Sequence, residues 1–345
     1  GRDDLAHAEH GHYVLGHGVG QVLEEMRSLT QGGGFWESKE INGCLAYNSP
    51  RDLDRAFHDR DCSPMNYRHG YHAGNFCDVF KHLILMLLIE HFKQKEKGFT
   101  VLDAHAGDGT YSLRGELAAK TGEAEAGILR ALAFPHPSPV LADFLNLVRR
   151  LGLPDKEGHL TSYPGSPRLA RALLRPQDKL LLSDIHPDAL SSLERLFRDD
   201  RQVRIQPIDA ALALKSQLPP ESRRALVLLD PPYEVPDEFR RLLAALKEAH
   251  KRFPTGTYAI WYPIKSPEPV RHFHRQLAAS GIKPILTAEI HLAPLNNFQL
   301  NGSGMTIINP PWKLDTQLGE VLPELLAALG AEKSGKIRLE WTVPE

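Results

Sequence analysis

Val101-Leu102-Asp103-Ala104-His105-Ala106-Gly107-Asp108-Gly109-Thr110 reads as a short apolar strand that ends in an acidic residue and runs into a glycine turn. A helix is predicted to follow the turn. Three more apolar runs of this kind come later: 180–182 ends in Ser183-Asp184, 203–208 in Asp209, and 225–229 in Asp230. With the first run at 99–102 and further candidates at 257–262, 285–292 and 305–308, seven strands are predicted. Helical spacing recurs at 188–198, 211–217, 237–252 and 267–280. Alternation of this sort implies an α/β fold with a mostly parallel seven-stranded sheet, covered by helices on both faces. In open α/β sheets, ligands sit outside the carboxyl ends of the strands, where the strand order reverses. Asp103, Asp184, Asp209 and Asp230 are therefore predicted to line one rim.

Residues 1–64 read differently. They contain Gly32-Gly33-Gly34, scattered histidines and no sustained period. We expect an appended or poorly ordered segment there and a working domain over 65–345. The histidines at 7, 10, 12 and 17 lack an acidic frame at helical spacing and read as a polar tail. Within the domain, Val79, Phe80, Leu83, Ile84, Leu87 and Leu88 recur at helical spacing. The long interval between the first and second strands carries helical patterns at 113–133 and 139–151. A helical insertion is predicted at about 113–160.

Composition narrows the function. The chain has 42% hydrophobic and 24% charged residues, the balance of a globular protein. Its most apolar stretch, 83–89, is too short to span a bilayer, so no membrane partner is expected. No secretory leader pattern is visible. The three cysteines, Cys44, Cys62 and Cys77, fit neither a disulfide framework nor a zinc site, and a cytoplasmic protein is expected. Residues 1–64 carry a net charge of −5 and the remainder +3. A local basic face is compatible with that balance, so charge neither supports nor excludes a nucleic-acid partner.

The glycine turn is not the dinucleotide fingerprint, because Ser112 stands where the third glycine would fall. It resembles the Asp-x-x-x-Gly-x-Gly turn of S-adenosylmethionine enzymes, which cups the methionine part of the cofactor; a glycine turn for packing alone is the alternative. Asp230-Pro231-Pro232-Tyr233 suits methyl transfer to an exocyclic amine. Such a nitrogen is a weak nucleophile, because its lone pair is delocalised into the ring. Two acceptors aimed at its N–H groups, the Asp230 carboxylate and the Pro231 carbonyl, draw the lone pair out. Tyr233 offers a stacking face for a flipped base. Asp184 is placed to accept from ribose hydroxyls, with a helix cap ahead of Pro187 as the alternative. Asp209 is placed to accept from an adenine amino group, with the same alternative. A second Pro-Pro sequence, Asn309-Pro310-Pro311-Trp312, is expected to end the last strand near the sheet edge, with Trp312 packed.

Several stretches in order are distinctive: Tyr67-Arg68-His69-Gly70-Tyr71-His72-Ala73-Gly74-Asn75-Phe76-Cys77-Asp78-Val79-Phe80-Lys81-His82, Asp103-Ala104-His105-Ala106-Gly107, Tyr163-Pro164-Gly165-Ser166-Pro167, Asp230-Pro231-Pro232-Tyr233, Trp261-Tyr262-Pro263 and Asn309-Pro310-Pro311-Trp312. Together they resemble the bacterial 23S ribosomal RNA adenine-N6 methyltransferases of the RlmJ type, over about 65–345. The resemblance implies a Rossmann-like class I fold, S-adenosylmethionine as cofactor and 23S ribosomal RNA as partner of a monomer. It implies a cofactor site of His82, His105, Ser166, Asp184, Asp209 and Ala210, with Asp230 catalytic. It implies that Tyr67 meets the RNA or the target base. The family commonly has Glu where Asp184 stands and Gly where Ala210 stands. No metal is expected, since methyl transfer from a sulfonium needs none; His69, His72 and His82 read as pocket residues.

Overall fold

The computed structural model describes residues 72–114, 122–235, 237–296 and 299–344, all within the compact unit Tyr67–Glu345. The expectations for 1–64, Tyr67 and His69 lie outside the described residues. The strands are β1 (Thr100–Asp103), β2 (Thr110–Ser112), β3 (Ser162–Pro164), β4 (Lys179–Ser183), β5 (Val203–Gln206), β6 (Ala225–Leu229), β7 (Thr257–Ile264), β8 (Ile285–His291), β9 (Gly302–Ile308) and β10 (Lys336–Val343). The helices are α1 (Phe76–Lys93), α2 (Pro139–Leu151), α3 (Ser166–Leu173), α4 (Pro187–Leu196), α5 (Ala210–Gln217), α6 (Glu238–Arg252), α7 (Pro267–Ala278) and α8 (Leu314–Ala328).

The main sheet has eight strands in the order β10-β8-β9-β7-β6-β1-β4-β5. From β5 to β7 the neighbours are parallel, and β9 runs antiparallel to both β7 and β8. The predicted count of seven is thus corrected by β10, which adds antiparallel to the outer side of β8. The chain builds β1, β4 and β5 outward in one direction, then returns to lay β6 on the other side of β1. Strand order reverses there, so a crevice opens between the carboxyl ends of β1 and β6. Asp103 and Asp230 are at that place.

The covered faces follow from burial. Every residue of β1 and β6 is buried, the continuous apolar pattern of parallel strands with helices on both sides. Residues of α1, α2, α3, α4 and α8 join one core cluster, and those of α5, α6 and α7 join the other. The helix α1 is the most enclosed: all residues from Cys77 to Ile89 are buried. At about 1.5–3 kcal/mol for each fully buried large apolar side chain, its nine aliphatic or aromatic core residues between Val79 and Ile89 are a large share of the driving force on that face.

The glycine turn leads into the strand β2 rather than the predicted helix. β2 pairs antiparallel with β3, in register Thr110↔Pro164, and the Gly165 amide donates to the Gly109 carbonyl at 3.0 Å. The helix α3 begins directly after. The segment between β2 and β3 is therefore spliced into the junction of turn and helix, with its two ends held together. It contains a helical stretch from Glu125 to Leu132, kinked at Gly127, and α2. Gly127 lies so close to the turn before α1 that a Cβ would sit 2.2 Å from the Gly74 carbonyl oxygen. Only glycine permits that approach.

Candidate active site

The buried helix α1 carries three polar side chains that burial alone would forbid: Asp78, Lys81 and His82. Buried charges persist only when paired and hydrogen-bonded. Lys81 Nζ donates to Asp230 Oδ2 at 2.5 Å and lies 3.0 Å from Asp78 Oδ1. The Trp261 ring sits 5.3 Å from the same ammonium. Asp78 Oδ2 accepts the Gly74 amide at 2.9 Å. His82 Nδ1 and the Tyr163 hydroxyl share a hydrogen bond of 2.8 Å, and the two rings stack with centroids 5.5 Å apart.

Asp230 follows β6 directly. Its carboxylate is fixed through Oδ2, and its backbone amide donates to His105 Nδ1 at 3.1 Å. A backbone amide can only donate, so Nδ1 is the acceptor and the ring proton belongs on Nε2. Burial lowers the pKa of His105, against the opposing pull of Asp230, Asp184 and Asp209, so the ring is neutral near pH 7. Among the described residues, no hydrogen bond reaches Asp230 Oδ1 or the Pro231 carbonyl.

Of the residues predicted to hold the cofactor, Asp184 binds the glycine turn itself. Gly107 has φ +60°, and a Cβ there would meet the Tyr111 hydroxyl at 2.2 Å; that hydroxyl accepts the Asp108 amide at 3.2 Å. Asp184 does not cap a helix. Its Oδ2 accepts the Gly107 amide at 2.8 Å and its Oδ1 the His186 amide at 2.9 Å, which draws the carboxylate onto the turn. Asp209 does cap: Oδ1 accepts the Leu212 amide at 2.7 Å, and Ala210 opens α5. Ser166 opens α3 and is buried beside Asp103. Two apolar side chains on this rim are exposed, Ile185 at 54% and Leu212 at 46%.

Asp103 is 1% exposed, and its Oδ2 has no hydrogen-bond partner among the described residues. Burial pushes its pKa up to about 6; the nearby Ser166 hydroxyl, outside hydrogen-bonding geometry, and the His105 amide offset part of that rise. A buried acceptor without a partner at the carboxyl end of β1 fits a site that receives a donor from a ligand.

Tyr233 is held with φ +54°. Its hydroxyl donates to the Trp261 carbonyl at 2.6 Å, and its ring lies 4.8 Å from Phe239. Asn309-Pro310-Pro311-Trp312 is at the opposite rim. β9 is antiparallel to β7, so Ile308 pairs with Tyr258 near the start of β7. β9 is also an internal strand, not the expected edge. Trp312, expected to pack, is 80% exposed: the Asn309 side chain anchors the turn by donating to the Pro254 and Gly256 carbonyls, both at 2.7 Å, so the tryptophan is not needed for it.

A family model described as "Ribosomal RNA large subunit methyltransferase D, RlmJ" matches residues 96–343. The chain belongs to this family. Two relatives named "Ribosomal RNA large subunit methyltransferase J", from Haemophilus influenzae and Escherichia coli, are 42% and 41% identical over 282 residues. The alignment spans 81% of this chain and 100% of each relative. A crystal structure from Legionella pneumophila is 31% identical over 78% of this chain and 98% of its own, with a TM-score of 0.72.

In this RlmJ-family chain, the residue that sequence reasoning passed over is Lys81. It stands inside the quoted Tyr67–His82 stretch, but lysine on a helix ordinarily faces water. The available signal was its company: Asp78 and Lys81 are three apart on one face, between apolar neighbours on both sides.

The strained state of Asp103 is measurable. Its folded-state pKa of about 6 lies above the ordinary value of about 3.9. Stability from this group is therefore fully present below about pH 4 and lost as pH rises through about 6. The ionised carboxylate costs the ligand-free protein roughly 3 kcal/mol at neutral pH. Asp103→Asn is expected to raise the melting temperature at pH 7.5 by several degrees and to add little at pH 4.5. An equal change at both pH values would show that the carboxylate is not strained.

Proposed function

We propose that this chain transfers a methyl group from S-adenosylmethionine to the N6 amino group of an adenine in 23S ribosomal RNA. The observation that carries the reading is the Asp230 carboxylate: Lys81 holds one oxygen, while the other oxygen and the carbonyl of the next residue, Pro231, accept no hydrogen bond among the described residues. Two acceptors on adjacent residues fit the two hydrogens of an exocyclic amine. Asp230 Oδ1 and Pro231 take one N–H each and turn the nitrogen lone pair away from the ring. Asp230 is then placed to receive the proton that the methylated nitrogen sheds. Lys81 fixes the rotation of the carboxylate. Tyr233 stands beside this pair, its phenol anchored, as one wall for the base.

The rim fits the cofactor. The orphaned Asp103 Oδ2 suits the methionine ammonium, and the exposed Ile185 and Leu212 suit the faces of its adenine. His82, His105, Ser166, Asp184, Asp209 and Ala210 would hold the rest. When bound, the cofactor supplies an electrophilic methyl group on a sulfonium. Asp184 would meet the ribose with the lone pairs that the Gly107 and His186 amides leave. The test is incubation with labelled cofactor and either protein-free 23S ribosomal RNA or duplex DNA. Label in N6-methyladenosine from RNA alone is expected; label in DNA alone would overturn the substrate.

The enzyme is proposed to act as a cytoplasmic monomer through residues 65–345. Full coverage of both relatives by 81% of this chain supports that boundary. A protein beginning at Met65 is expected to match the full chain in turnover. A folded but inactive truncation would place 1–64 in the site.

Tyr67 is proposed to stack on the target base. Tyr67→Ala is expected to lower methylation roughly five- to 150-fold, since a stacked aromatic is worth about 1–3 kcal/mol. Cofactor affinity should hardly move. Melting temperature, cofactor affinity and methylation are read on one preparation; a parallel loss of all three would mean that Tyr67 only packs.

A further inference from the structure

We propose that His105 is a positioning residue that ties the cofactor side of the crevice to the catalytic turn, each through a different ring nitrogen. The inference rests on the cofactor reading above and goes beyond it, because it gives the ring a second duty at Nδ1. The geometry is specific. His105 belongs to the turn after β1, and Asp230 to the turn after β6. The hydrogen bond from the Asp230 amide to Nδ1, 3.1 Å long, spans 125 residues of sequence and bridges the switch point of the sheet.

The rest of the turn leaves little slack. The Ala104 amide donates to the Leu228 carbonyl at 3.1 Å, and the Ala106 amide to the Ser183 carbonyl at 3.0 Å. These bonds fix the backbone on both sides of His105 to β6 and to the residue before Asp184. The His105 amide itself donates to Asp103 Oδ1 at 3.3 Å. A ring so mounted has one acceptor and one donor to offer. The acceptor is used by the Asp230 amide. Nε2–H remains for the cofactor.

The Asp230 amide is the first backbone group of the Asp-Pro-Pro turn, and the two prolines that follow carry no N–H. The turn therefore cannot anchor its next two residues through backbone donors. Its attachment at the catalytic residue rests on the Asp230 amide at one end of that residue and on Lys81 at the other. Removal of the Nδ1 acceptor frees the amide, so the carboxylate and the Pro231 carbonyl lose their common aim.

Two amides separate the two duties. Asn at 105 places a side-chain oxygen near the Nδ1 position and nothing near Nε2. Gln reaches the Nε2 position and leaves the Asp230 amide without its acceptor. For His105→Asn we expect a cofactor KM raised roughly tenfold and a smaller loss of turnover at saturating cofactor than in His105→Gln. For His105→Gln we expect turnover on protein-free 23S ribosomal RNA to fall roughly ten- to a hundredfold. At about 1.4 kcal/mol per factor of ten, that is about 1.4–2.8 kcal/mol, the range for an unsatisfied buried donor. The affinity of His105→Gln for S-adenosylhomocysteine, read by calorimetry, should stay within about threefold. Melting temperatures of both variants are read alongside.

Equal turnover losses in the two variants, or turnover retained in His105→Gln, would overturn the positioning role. If both variants keep turnover but bind S-adenosylhomocysteine weakly, His105 is a cofactor contact alone and the inference fails while the cofactor reading stands. If neither turnover nor affinity changes in either variant, the cofactor assignment of His105 fails as well.

Discussion

Asp230→Asn is expected to cut single-turnover methylation by about two to three orders of magnitude while leaving the fold and the cofactor affinity intact. The magnitude is that of a positioned acid–base group. Lys81 makes the substitution worse than a simple loss of charge. An amide has one acceptor and one donor end. The Lys81 ammonium, only a donor, can pair with nothing but the amide oxygen. The NH2 end is then turned to the crevice, where it faces the N–H groups of the target amine. A donor meets a donor where the reaction needs an acceptor. The fold should hold, because Lys81 keeps Asp78 at 3.0 Å. Rate and affinity are measured together; near-parental turnover would remove Asp230 from the catalytic role.

The second large effect is expected at Lys81. Its side chain is 4% exposed, and the carboxylates it joins are 2% and 15% exposed for Asp78 and Asp230. Lys81→Met removes one member of the buried pair with Asp78, a change that costs about 3–5 kcal/mol. Turnover should fall at least about tenfold, because the Asp230 carboxylate is no longer held by Oδ2. Adding Asp78→Asn separates the two effects. The double variant should regain most of the lost stability in denaturant titration and none of the turnover. Recovery of both together would make Lys81 a purely structural residue.

The rim of acidic residues was legible because parallel strands buried on both faces are unbroken apolar runs, and a polar residue marks where each leaves the sheet. All seven predicted strands are present, within a few residues at their ends. β10 was missed for the opposite reason. It is an edge strand in which Lys336, Glu340 and Trp341 are exposed, so Lys336–Val343 carries no clean alternation. The helix expected directly after the glycine turn is displaced, because Thr110–Ser112 pairs as β2 with β3; within 113–133 the described helical stretch is Glu125–Leu132. The spacing of Asp78 and Lys81 marked a partner for the lysine, but not that the pair is enclosed. A helix with one wet face and a helix enclosed on all sides share the same apolar spacing. Only the neighbours on every side show that Asp78, Lys81 and His82 have no water to face. Trp312 erred in the other direction: strand order placed it on an edge, and antiparallel pairing instead put it at the far rim.

The Lys81–Asp230 bond joins residues 149 positions apart, with a consequence for biosynthesis. The ribosome delivers the ammonium long before the Asp230 carboxylate that it pairs with. At about 5–20 residues per second the wait is roughly 7–30 s. During it, the nascent helix carries a charge that cannot be left bare among apolar side chains. Asp78 is three residues upstream on the same helix, so it emerges first and is in reach as soon as one turn has formed. The pair can then be tucked away as a neutral unit, and the late-arriving Asp230 docks onto a partner already in place.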